Sequence, residues 1–201
     1  MKRTLGLLLL LIGVAACRSA PSRYYTLVPP PRDAAPVAPS NVQLDVLPVD
    51  VPADVDRTQL VVRRGPGEVA PVDTRSWIAP LPLEIRRALS GELSRTLGAR
   101  DVAGLTPSAG APTYRVKLSV HRFESALGER ALIEGVWSLR EAGGTGAPLT
   151  CAARASEAAP GDYAALAEAH QRALARIAAD IATGLRALEA GGEVACPPAT
   201  P

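Results

Sequence analysis

T-Y-R-V-K-L-S-V-H-R-F (Thr113–Phe123) followed by A-L-I-E-G-V-W-S-L (Ala131–Leu139) is the stretch that sets the fold. Tyr114, Val116, Leu118 and Val120 alternate with polar residues, and Phe123 ends the run. Ala131, Ile133, Gly135, Trp137 and Leu139 line one face of the next run. A period of two is the mark of a strand with one buried face. Gly143-Gly144-Thr145-Gly146 then turns the chain into a third strand, near Leu149 to Ser156. These three segments predict an antiparallel meander.

Upstream, Arg23 to Val28 is rich in strand formers. Val42, Leu44 and Val46 alternate in a strand that continues to about Val51. Gln59 to Arg64 predicts another strand, with Glu68 to Val72 as its hairpin mate across Gly65-Pro66-Gly67. Between the first two strands, Pro29 to Ser40 is rich in Pro and Ala and reads as an extended, solvated connection. Arg100 to Pro112 reads as a loop.

Two helices are predicted. In the first, Leu81, Ile85, Leu89, Leu93 and Leu97 recur every four residues. Pro80 and Pro82 suit its first turn and Gly98 its exit. The second opens with Asp162 as N-cap and carries Tyr163, Leu166, Leu174, Ile177, Ile181, Leu185 and Leu188 as its apolar stripe. It should end at Gly191-Gly192. The order β-β-β(β)-α-β-β-β-α predicts an α+β fold, a mostly antiparallel sheet with both helices packed on one face.

The start of the chain has a different character. Met1-Lys2-Arg3 precedes an apolar run from Leu5 to Ile12, then Gly13-Val14-Ala15-Ala16-Cys17. A basic start, a short apolar stretch and small residues before a cleavage point describe a secretory signal. The stretch is too short for a bilayer span, which needs about 20 residues. An ordinary signal peptide needs no cysteine here; Val14-Ala15-Ala16-Cys17 resembles the bacterial lipobox, in which the Cys thiol is acylated and becomes the new N-terminus. The expected organisation is therefore residues 1–16 as a cleaved signal, 17–22 as a lipidated tether, 23–189 as one domain and 190–201 as a tail. Arg18 follows Cys17 where an Asp would favour retention at the inner membrane. The expected location is the periplasmic face of the outer membrane of a Gram-negative bacterium.

Loss of Lys2 and Arg3 with the signal leaves twenty basic against twenty acidic residues. That balance gives no electrostatic footprint for nucleic acid. Three cysteines are present. With Cys17 acylated, Cys151 and Cys196 remain as a pair, and an oxidising periplasm permits their disulfide.

Chemistry-bearing patterns are few. The sequence holds no G-x-S-x-G, no H-E-x-x-H, no Walker lysine and no C-x-x-C pair. His121 sits on a strand pointing away from the core; with Glu124 it makes only two of the ligands a metal would need. His170 lies beside the stripe of the second helix and reads as a packed side chain. Asp54 and Asp56 could face a cation, but Ca²⁺ takes several further oxygens. No metal, cofactor or catalytic residue is assigned, and an enzyme is not expected.

R-Y-Y-T-L (Arg23–Leu27), V-L-P-V-D-V-P-A-D-V-D-R-T-Q-L-V-V-R (Val46–Arg63), W-I-A-P-L (Trp77–Leu81) and the spacing of Ala169 to Ala182 resemble the ABC-type transport auxiliary lipoproteins, the PqiC/YmbA-like family. Val51, Pro52, Asp56, Arg57, Gln59, Leu60, Val61 and Arg63 match the family's loop pattern, while Thr58 stands for its usual Pro and Val55 for its usual Leu. The resemblance implies an outer-membrane-anchored lipoprotein that docks the conduit of an MCE-type lipid transport system, with an MCE-domain protein as partner and a ring-shaped homo-oligomer. It also implies a role in envelope integrity. On this reading Pro52, Asp56, Arg57 and Gln59 are candidate partner-binding residues. Asp56 and Arg57 bear a second reading, as braces of the strand that begins near Gln59. Two other classes compete: a lipoprotein regulator or assembly factor of another envelope machine, acting in peptidoglycan synthesis or outer-membrane assembly, and a lipid-anchored periplasmic hydrolase.

Overall fold

The meander at the centre of the sequence is also the centre of the molecule. The computed structural model describes residues 21–31, 37–191 and 195–197; the signal, the lipobox and Cys17 lie outside them. Strand β6 (Thr113–Ala126) pairs antiparallel with β7 (Arg130–Glu141), and β7 with β8 (Leu149–Ala158). Their inward residues form cross-strand rows, such as Leu118 opposite Trp137 and Trp137 opposite Cys151. Direct cross-strand neighbours of this kind stabilise a sheet and fix its register.

The sheet is larger and more mixed than the sequence predicts. Strands β2 (Gln43–Val46) and β5 (Arg100–Asp101) extend it to the order β5-β2-β6-β7-β8. Strand β2 runs parallel to both of its neighbours. Strand β5 lies within the stretch read as a loop, being too short to carry a periodic signal. A second sheet has three strands. Here β1 (Arg23–Tyr25) is parallel to β4 (Val69–Trp77), and β3 (Gln59–Arg63) is antiparallel to it. The α+β class holds. The single, mostly antiparallel sheet is corrected to two sheets with both pairing modes, because helix α1 (Leu81–Leu97) carries the chain back and lets β5 and β6 run parallel to β2.

Both helices cover the same face of the larger sheet. Helix α1 meets β2 and β5, α2 (Tyr163–Glu189) meets β7 and β8, and the helices touch each other. The apolar stripe of α1 is buried as its spacing predicts, and so is that of α2 from Leu166 through Leu185, with Tyr163 partly buried. Asp162 caps α2, accepting from the amides of Ala164 and Ala165 at 2.9 and 3.2 Å. Such a cap contributes about 1 kcal/mol. Gly98 ends α1 at φ 64°, where a Cβ would stand 2.2 Å from the Ala38 carbonyl oxygen. Only glycine suits both demands.

The described parts of the proline-rich connection meet α1 near both of its ends. Leu27 N–H donates to the buried Glu84 carboxylate at 2.8 Å, and the Thr26 hydroxyl donates to the same oxygen at 2.8 Å. Pro29, Pro30 and Pro31 then border a cleft with Ala88, Gly91 and Arg95. Ser40 N–H donates to the Gly98 carbonyl at 3.0 Å. Cys151 on β8 is bonded to Cys196 in the tail. No described helix is long and apolar enough to cross a membrane.

Candidate partner-docking site

The loop before β3 begins on the edge of β6. Asp50 bridges Ser119, and Val120 N–H donates to the Asp50 carbonyl at 2.8 Å. The Asp50 carboxylate also receives the Lys117 ammonium at 2.8 Å. From there the loop closes into a tight turn. The Pro52 carbonyl accepts from Val55 N–H and Asp56 N–H, both at 3.1 Å, and the Val55 carbonyl accepts from Arg57 N–H at 2.8 Å. Val55 is only 5% exposed and is part of the main core. At the far end the Thr58 carbonyl accepts from Trp77 N–H at 2.7 Å. A buried valine and backbone bonds thus hold the loop, so its polar side chains are not needed for its shape.

Those side chains point outward. Asp56, Arg57 and Gln59 are exposed, and none makes a side-chain hydrogen bond or ion pair among the described residues. The reading of Asp56 and Arg57 as braces therefore finds no contact to rest on. Pro52 is half-buried and borders a cavity of about 180 Å³ together with Asp54, Val61, Arg63, Val69 and the His121–Ser125 segment of β6. The structure gathers Pro52 with this cavity and leaves Asp56, Arg57 and Gln59 on the outer surface of the same loop.

The cavity floor holds a feature that sequence reading missed. Glu124 is 5% exposed and meets three guanidiniums. One oxygen accepts from Arg63 at 2.7 Å and Arg122 at 2.6 Å, and the other from Arg130 at 2.8 Å. Burial alone would push this carboxyl up; the hydrogen bonds from Arg130, Arg122 and Arg63 outweigh it and draw the pKa down from 4.5 to about 2. Arg63 also donates to the Gly65 and Pro66 carbonyls, both at 3.1 Å, so it holds the β3–β4 turn as well. Arg122 approaches Glu134 at 3.6 Å, and Arg154 pairs with Glu134 in turn. The charged chain thus runs from β3 across β6 and β7 to β8 on the face opposite the helices. Arg122, Glu124, Arg130, Glu134 and Arg154 alternate along their strands with buried residues. That spacing is the signal that could have revealed the chain.

The other candidates separate. His121 is exposed at a bulge, where Val120 faces Gly135 and Arg122 faces Glu134. Glu124 beside it has both oxygens engaged by arginines, which removes it from the pairing considered for a metal. His170 is fully buried. Its Nε2 lies 2.8 Å from the Ser125 hydroxyl, and its ring stacks on Phe123 with centroids 4.0 Å apart. Burial holds its pKa down to about 3, so it is a neutral packing element. Asp54 and Asp56 are exposed neighbours, and no group of three His, Cys, Asp or Glu side chains gathers among the described residues. The arrangement offers a rigidly mounted polar loop beside a shallow, charged cavity.

A family model described as "ABC-type transport auxiliary lipoprotein component" matches residues 25–182. No curated protein matches the chain. Among solved structures, a crystal structure of an uncharacterized protein superposes with a TM-score of 0.67 at 20% identity, covering 83% of this chain and 99% of its own. A protein from Xanthomonas campestris superposes with a TM-score of 0.57 at 21% identity, covering 84% and 97%. At such identities the two structures establish a shared fold and nothing of function.

Proposed function

Because the chain belongs to the ABC-type transport auxiliary lipoprotein component family, we propose that it is the outer-membrane-anchored member of an MCE-type lipid transport system and acts there without catalysis. On this proposal residues 1–16 are removed, Cys17 is acylated, and the domain meets the MCE-domain protein whose conduit carries phospholipid across the periplasm. A ring of copies of this chain would match a multimeric partner. The role is positional. A conduit that opens short of the membrane exposes acyl chains to water at about 0.8 kcal/mol per methylene. Tyr24 is the seventh residue after Cys17, and fully extended that stretch spans at most roughly 25 Å. The domain would hold the conduit mouth within that reach of the bilayer, maintaining envelope integrity.

The observation that carries this reading is the Val51–Arg63 loop. Its backbone is fixed from within by Val55, while Asp56, Arg57 and Gln59 face solvent with no side-chain partner among the described residues. Such groups are free to make directional, charge-assisted bonds to another protein. Asp56→Ala combined with Arg57→Ala should leave stability within about 0.5 kcal/mol, as for surface substitutions without contacts. Capture of the MCE partner from detergent extracts should fall about tenfold, equivalent to about 1.4 kcal/mol. Undiminished capture would remove the loop from the interface, and a large melting shift would return these residues to a bracing role.

A further inference from the structure

Tyr24, 63% exposed, and Ile78, 61% exposed, are among the most exposed large apolar side chains of the described residues, and they sit on paired segments of backbone. Tyr24 stands opposite Ser76 in the parallel β1–β4 pair, and Ile78 follows two residues after Ser76 on the side away from buried Trp77. Ile78 N–H donates to the Tyr25 carbonyl at 2.8 Å, which fixes the two segments together. Val28 and Leu83, 40% and 36% exposed, flank the same corner. Each is next in sequence to a partner in the bond between Leu27 N–H and the Glu84 carboxylate.

The exposed charges at this corner, Arg23 and Arg87, are basic. Arg23 is exposed at the start of β1, and Arg87 is half-exposed one turn along α1 from Leu83. The acidic side chain of that turn, Glu84, is buried; one oxygen accepts from Thr26 and Leu27, and the other lies 4.0 Å from the Arg87 guanidinium, whose side chain is still half-exposed. The corner therefore offers a tyrosine, three aliphatic side chains and two guanidiniums. Tyrosine favours the headgroup level of a bilayer, and basic residues are drawn to an anionic surface.

We propose that this corner rests on the lipid bilayer that holds the acyl chains of Cys17, with Tyr24 and Ile78 at the headgroup–acyl boundary. The inference rests on the reading of Cys17 as the anchor. The chain length selects the occupant: Tyr24 is seven residues from Cys17, so the corner cannot lie farther than roughly 25 Å from the anchoring atom. Docking would add a second attachment beside the acyl chains and would fix the domain's orientation, so that the loop at Asp56 and Arg57 keeps one direction relative to the membrane.

The test places a fluorescent reporter at the corner of the mature, acylated protein. Native Trp77 and Trp137 are 3% and 1% exposed and supply a common background. Ile78→Trp adds a tryptophan at the corner. Leu105→Trp adds one at a position 71% exposed, near the opposite end of α1 beyond Gly98. Each protein is reconstituted into phosphatidylethanolamine–phosphatidylglycerol vesicles with brominated acyl chains. The added emission of Ile78→Trp should fall roughly twofold, as for a side chain at the interfacial boundary, and that of Leu105→Trp should not change. Equal quenching at both sites, or none at position 78, in protein whose intact mass carries acyl chains on Cys17 overturns the docking and leaves the anchor standing. An intact mass without acyl chains overturns the anchor and the docking together.

Discussion

Replacing Glu124 with glutamine removes one negative charge from the point where three arginines converge and keeps the size of the side chain. In the folded protein the carboxyl titrates at about 2 against its ordinary 4.5. At about 1.4 kcal/mol for each tenfold change in proton affinity, this corresponds to about 3 kcal/mol of stability at neutral pH. The side chains of Arg63, Arg122 and Arg130 are 29%, 48% and 50% exposed, so solvent screens part of that attraction. A net loss of about 2 kcal/mol is the working figure. For a domain of this size it lowers the melting temperature by about 4–8 °C. The sign follows from the direction of the shift. A carboxyl whose pKa is depressed by folding contributes its full stability above pH 4.5, and that contribution drains away as the pH falls toward 2. Thermal melts of wild type and Glu124→Gln by circular dichroism, from pH 7 to pH 2.5, should therefore begin apart and converge. Melts that coincide at pH 7 would show that the arginines do not hold the charge. A gap that persists unchanged to pH 2.5 would show that the loss comes from packing.

Two further substitutions test the framework. At Gly135 a Cβ would stand 2.2 Å from the Ser119 carbonyl oxygen, so Gly135→Ala should force β6 and β7 apart and cost about 3 kcal/mol, visible as a melting temperature lowered by several degrees; an unchanged melt would mean that the bulge relaxes freely. Cys151 and Cys196 are 45 residues apart, a loop whose closure contributes up to about 4 kcal/mol, and a Cys151→Ser, Cys196→Ser double variant should lower the urea midpoint and, by releasing the unfolded chain, steepen the slope of unfolding. Equal midpoints would mean that the tail adds no constraint.

Much of the architecture was legible because its signals are local. The alternation of Tyr114 to Val120, the four-residue recurrence from Leu81 to Leu97 and the cap at Asp162 each belong to one element. Partnership between distant segments left no such mark. Strand β5 is two residues long, and no periodicity fits in two residues. The division into two sheets depends on β1 pairing with β4, between residues such as Arg23 and Arg75 that are far apart in sequence. At the candidate site, the loop from Pro52 to Gln59 could be singled out by its likeness to a family pattern, but not its anchoring by Val55, which the same pattern fills with leucine. Glu124 was visible only as a neighbour of His121. Arg122 precedes it by two residues on the same strand and Arg130 lies just across the β6–β7 turn, but Arg63 is 61 residues away and only folding brings it there.

The path of the N-terminal segment also settles where mechanical load would go. A pull on residue 21 meets the three-residue ladder of β1 on β4, then the clasp of Thr26 and Leu27 on Glu84, and only later β2, which lies between β5 and β6 in the large sheet. The stretch from Tyr25 to Val42 could straighten to roughly 60 Å once those first contacts part, an extension that a force trace would register as a separate early step. Envelope strain would be taken up by this paid-out slack while β2 and the strands beyond it keep their register.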